Sequence, residues 1–177
     1  MTDSYHVENV PLDLVDGPMA DHLRAALWLW QGRRGRDECP AACDLRPNDL
    51  EVSGAAGHFH IFDVAADDPL GYYLRHWSRI GNLAANWEVL GVPLGAWPFP
   101  VQAVSHAESL MACAEARRPI LSRVDRVLAG LPQSYTRLLC PLHDGRKHVS
   151  RIASVVALDD CRIAPRLVDQ SAAVQQQ

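Results

Sequence analysis

The order of segments along the chain predicts an α+β fold with an antiparallel sheet. A helical segment comes first, then two short strand-like runs, short helices, one longer helix and three strand-like runs. Strands grouped on either side of helices, rather than alternating with them one by one, disfavour a parallel βαβ arrangement. The last two runs meet at His143-Asp144-Gly145-Arg146, a polar break whose Asp-Gly pair tolerates the positive φ of a tight turn, so an antiparallel hairpin is expected there. The 177 residues, 48% hydrophobic and 21% charged, match a globular chain of one domain with tails.

Residues 1–17 mix charges with isolated apolar residues and are expected to form a flexible lead-in to a single domain spanning residues 18–160. Asp16-Gly17-Pro18 signals a helix start, and Met19, Leu23, Ala26, Leu27 and Trp30 fall at helical spacing on one face. Arg33, Arg34 and Arg36 suit the C-terminal end of that helix dipole, where Gly32 and Gly35 favour termination. Trp28 and Leu29 widen the apolar surface beyond one stripe, which makes this N-terminal helix a candidate for a dimer or partner surface through Leu23, Leu27, Trp28 and Trp30.

A Pro-punctuated segment, Cys39 to Leu50, has room for one short helix after Arg46-Pro47. Gly57 to Val64 reads as the first strand and Gly71 to Trp77 as the second. Short helices are expected between Ser78 and Pro100. A longer helix follows from about Val101 to Ala116, with Ser105-x-x-Glu108 as an alternative capping box, and Arg117-Arg118-Pro119 closes it. Ile120 to Leu128 alternates as a strand, Gly130-Leu131-Pro132 turns the chain into the hairpin, and β-branched residues resume from Val149 to Leu158. Residues 161–177 are expected to be a tail, its last residues disordered.

A net charge of −4, with no long basic run, and a pI near 6.0 give no electrostatic footprint for a phosphate backbone, so no nucleic-acid partner is expected. No apolar run approaches the roughly 20 residues that span a bilayer, and Met1 to Gly17 is polar and acidic where an export signal needs a basic start and an apolar core. Five cysteines without a Cys-x-x-Cys spacing predict reduced thiols and a cytoplasmic location.

Leu138-Leu139-Cys140-Pro141-Leu142 followed by Asp144-Gly145 resembles the "LLPL, short turn, DG" signature near the end of a family of small stand-alone bacterial PAS-like proteins. Arg79-Ile80-Gly81-Asn82, where the family commonly has Thr at the last position, and Trp87 to Gly95 are similar to that family's passage from strand to short helices. The resemblance runs from about Asp21 to Leu158. It implies a PAS-like five-stranded antiparallel sheet of order 2-1-5-4-3, with helices on one face and an N-terminal helix. A cavity between sheet and helices is implied as well, walled by Trp77, Arg79, Asn82, Trp87, Trp97, His106 and Met111. The function it implies is that of a sensory or regulatory module, a homodimer acting through a protein partner in signalling, with a small-molecule ligand as an option.

Two other groupings have the residue types for chemistry. Cys39, Cys43, His58 and His60 carry zinc-type ligands, although Cys-x3-Cys with a His-x-His in a strand departs from the usual pair spacing. Cys140 and His143 have the components of a thiol nucleophile and its base. They define the alternative expectation, a small metal- or thiol-dependent enzyme. Against it, a thiol inside a strand serves equally as a small apolar side chain. His106 is the one helical histidine placed for an axial haem ligand, and neither haem nor zinc is expected.

Overall fold

The computed structural model describes residues 3–12, 20–65, 67–78, 89–128, 130–145 and 148–158. The expected helix start at Asp16 to Met19, the cavity candidates Arg79, Asn82 and Trp87, the residue Arg146 of the turn, and the tail 161–177 lie outside them. Among the described residues the architecture is α+β. Six strands, β1 (Ser4–Val10), β2 (Phe59–Asp63), β3 (Tyr73–Trp77), β4 (Ile120–Leu128), β5 (Leu131–His143) and β6 (Val149–Leu158), accompany three α-helices, α1 (Asp21–Arg34), α2 (Pro47–Leu50) and α3 (Pro100–Ala116).

The sheet is antiparallel throughout, in the order β1-β4-β5-β6-β2-β3. Count and order both differ from the expected five strands in the order 2-1-5-4-3, and β1 is the source of the difference. Ser4–Val10, expected as part of a lead-in, pairs along β4 from Ser4 with Val127 to Val10 with Leu121. Its Tyr5 and Val7 alternate with exposed His6 and Glu8, the period of a strand with one covered face.

The helices lie on both faces of the sheet rather than one. Leu138, Cys140 and Leu142 of β5 and Ala153, Val155 and Ala157 of β6 pack with Leu23, Ala26, Leu27 and Trp30 of α1. The alternate residues Leu139 and Ile152 pack with Ala103, Ala107, Leu110 and Cys113 of α3. Side chains of a strand alternate between faces, so both surfaces of β5 and β6 need apolar cover and each helix supplies one.

Local signals fix the ends of these elements. Gly35 (φ 58°) ends α1, Arg117 in the left-handed region (φ 53°) ends α3, and Gly145 (φ 88°) turns β5 into β6. Helix α3 begins at Pro100, whose missing N–H costs nothing in a first turn, and Ser105 lies inside it. Pro141 sits in β5 opposite Ile152 of β6, beyond the last β4 pairing at Leu139, so its lack of an N–H interrupts no ladder. Past that point the segment Pro40–Ala42 takes the place of β4: the Ala42 N–H donates to the His143 carbonyl and the His143 N–H to the Pro40 carbonyl.

Candidate ligand cavity

The face of the sheet turned toward α3 carries two polar rows. In one, Leu139, Ser154, His60 and Trp77 are neighbours across β5, β6, β2 and β3. In the next, Ser122, Arg137 and Val156 are neighbours across β4, β5 and β6. Helix α3 lays Gln102 and His106, one turn apart, over these rows, and Trp97 closes down from the loop before the helix. Between them is a cavity of about 100 Å³. Its apolar wall comes from Phe62, Leu74, Trp77, Val89 and Trp97. The Trp97 indole N–H donates to the Val92 carbonyl at 3.2 Å, so this ring presents its surface without leaving a donor unmet.

The polar wall is basic. Arg137 is 2% exposed, and its Nε and Nη2 have no hydrogen-bond partner. No aspartate or glutamate is among the described residues that line the cavity. Arg126, at the edge, donates from Nε to Gln133 Oε1 at 2.8 Å and lies over the Tyr135 ring at 5.4 Å. The Tyr135 and Tyr5 hydroxyls share a 2.6 Å hydrogen bond. Burial, reinforced by Tyr135, holds the Tyr5 phenol well above its ordinary pKa, so Tyr5 is neutral at pH 7 and supplies no counter-charge to Arg137.

Two imidazoles, His106 buried and His60 half-buried, complete the site. His60 meets Trp77 edge to face with ring centres 5.3 Å apart, and its Nδ1 is shut off from solvent without a partner. Burial first, then His76 and Arg126, lower its pKa to about 4. His106 is held by Tyr5, Phe62 and Trp97, with ring centres 5.5 to 5.9 Å away. The Gln102 carbonyl lies near the His106 ring, yet Nδ1 makes no hydrogen bond of normal geometry. Burial, followed by Arg137, Arg126 and His60, pushes the His106 pKa well down. Both rings are therefore neutral at pH 7, each able to donate or accept at a free nitrogen.

Just before β2, His58 lines the cavity and also stacks on His22 of α1, ring centres 4.2 Å apart. The His22 ring lies 3.0 Å, through Nε2, from the Val156 carbonyl. The N-terminal helix on one face of the sheet thus touches the rim of a cavity on the other.

Of the residues expected around a cavity, Trp77, Trp97 and His106 line this one, while Met111 packs against the apolar cluster beneath α3. Of the expected partner-facing residues, Leu23, Leu27 and Trp30 are buried against the sheet, and only Trp28, 61% exposed, remains at the surface. Trp30 is tied inward by its indole N–H, which donates to the Pro141 carbonyl at 2.8 Å.

The zinc-type residues are not gathered. Cys39 belongs to the core under α1 while His60 faces the cavity across the sheet, and no group of three or more His, Cys, Asp or Glu side chains suited to a metal occurs among the described residues. Cys140 is buried, and burial with Cys113 nearby raises its pKa well above the ordinary thiol value. His143 Nδ1 accepts the Gly145 N–H at 2.8 Å. This pair caps a turn; a thiol so hard to ionise is a poor nucleophile.

Sequence reasoning missed Arg137, Arg126, Tyr135 and Gln102. Arg137 alternates with Leu138 in an apolar strand, the pattern of a solvent-facing residue, and only the packing of α3 over that face buries it. No helix among the described residues is long and apolar enough to cross a membrane. Compared with known proteins, the chain matches no protein-family model, and no curated protein matches it significantly.

Proposed function

We propose that this chain is a PAS-like sensory module, which binds a small molecule between its sheet and α3 and signals through a protein contact made by its N-terminal helix. The observation that carries the reading is the cavity itself: His60, His106 and Arg137 all line it, and each carries a solvent-shielded hydrogen-bonding atom without a partner. Orphaned buried polar groups are costly, and a bound partner relieves that cost. The neighbour sequence β4-β5-β6-β2-β3 within the sheet supports the PAS-like part of the reading.

The output route is His58. Its ring belongs both to the cavity wall and to the stack with His22, so a ligand that repositions the end of β2 biases the seating of α1. A ligand shifts such an equilibrium only by its differential affinity for the two states. Trp28, exposed on α1, is then the side chain offered to a second copy or to another protein.

Native mass spectrometry beside denaturing mass spectrometry on freshly purified protein, with an absorption spectrum of the same sample, tests the reading. A reproducible extra mass on the native protein alone is expected. No extra mass, together with no stabilisation by any member of a small-molecule panel, would leave an adaptor with an empty core.

A further inference from the structure

Resting on the sensory reading, we infer that the ligand is a small organic anion, a short-chain monocarboxylate whose carboxylate pairs with Arg137 and whose carbon body lies against Trp77 and Trp97. A guanidinium stays charged at any accessible pH, so a buried arginine cannot relieve its desolvation by losing a proton. It needs an anion, and the described residues lining the cavity offer none. The two atoms left without partners, Nε and Nη2, are those whose N–H bonds run side by side along one edge of the guanidinium. That edge matches the two oxygens of a carboxylate in a bidentate pair.

The rest of the wall decides between kinds of anion. An inorganic oxyanion such as phosphate has no apolar surface to place against Phe62, Leu74, Trp77 and Trp97, so that half of the wall would meet only charged oxygen. A carboxylate with an apolar tail satisfies both halves of the cavity. The volume limits its size: about 100 Å³ is less than the 150 Å³ engineered cavity that holds benzene, so an acid of roughly five to seven non-hydrogen atoms is the appropriate scale. His60 and His106 line the same cavity and each has an unpartnered Nδ1, which a small turn of the ring would offer to a hydroxyl or keto oxygen beside the carboxylate.

The test is calorimetric titration of the whole dialysed protein with propionate, lactate, propionamide and inorganic phosphate, repeated on Arg137→Gln. Saturable binding of propionate or lactate is expected, with propionamide and phosphate at least tenfold weaker and carboxylate affinity reduced at least tenfold in Arg137→Gln. Equal binding of propionamide and propionate would overturn the anion assignment and leave the sensory reading standing. Tighter binding of phosphate than of either acid would overturn the assignment to an organic anion. Failure of every probe, with an extra mass still retained in the native spectrum, would overturn this inference alone; failure with no retained mass would overturn both. If Arg137→Gln does not fold, the propionate against propionamide comparison on the unaltered protein still decides.

Discussion

The imidazoles of His22 on α1 and His58 at the start of β2 stack with ring centres 4.2 Å apart and planes 21° from parallel. This pair joins a helix on one side of the sheet to a cavity on the other. A double-mutant cycle with His22→Ala and His58→Ala, read by urea unfolding at pH 7.5, should give a coupling of roughly 0.5–1.5 kcal/mol. Strict additivity would mean that the two rings are neighbours without being partners, and the output route through His58 would fall.

Stability should depend on pH through the histidines that folding desolvates. With a folded pKa of about 4 against an ordinary 6.5, His60 refuses a proton that the unfolded chain accepts between those values. Its contribution is therefore complete above pH 6.5 and is lost as pH falls toward 4, the loss amounting to roughly 3 kcal/mol at the bottom of that window. His22 and His106 shift in the same direction and steepen the loss. Unfolding free energies at pH 7.5, 5.5 and 4.5 should fall less steeply in His60→Gln; parallel curves would assign the acid sensitivity elsewhere.

The two tryptophans of α1 should behave oppositely. Trp30→Phe removes the donor to the buried Pro141 carbonyl and leaves a gap beneath the helix, at a cost of about 1–3 kcal/mol. Trp28→Glu changes an exposed side chain and should move stability by less than about 0.5 kcal/mol. If Trp28 is a self-association surface, sedimentation velocity should show Trp28→Glu as a monomer where the parent chain dimerises. A dimer that survives the change takes Trp28 out of the interface.

Thiol labelling should discriminate sharply among the described cysteines. Cys43 is exposed, whereas Cys39, Cys113 and Cys140 are buried and burial raises the pKa of all three. Brief iodoacetamide treatment at pH 8 followed by peptide mapping should place label at Cys43 and leave those three unmodified until denaturant is added. Rapid native labelling of Cys140 would revive a thiol chemistry for this chain.

What the sequence made legible was local. Asp144-Gly145 with β-branched residues beyond it is a turn wherever it occurs, and Pro100 ahead of a helical stretch sets a start without help from the rest of the chain. The strand β1 was hidden because only Tyr5 and Val7 of its residues fall at alternate positions on one face, too few to separate a one-sided edge strand from a lead-in. Which face each helix covers is likewise not written in its own periodicity, since an apolar helix surface fits either side of a sheet equally well. The site was half visible: Trp77, Trp97 and His106 carry size or titratable nitrogen that invites attention. Arg137 does not, for an arginine in a strand signals solvent until tertiary packing places a helix above it.

The pairing of β1 with β4 also sets an order of events in time. Tyr5 and Tyr135, whose hydroxyls meet in the finished protein, are 130 positions apart. On a growing chain β1 is made long before β4, the strand it pairs with. The meander of β4, β5 and β6 closes through short turns and needs no distant segment, so low loop entropy favours its early formation. During that interval β4 carries an uncovered edge, the condition that invites pairing between nascent chains. Ser4–Val10, already synthesised when β4 emerges, is the piece that ends the exposure.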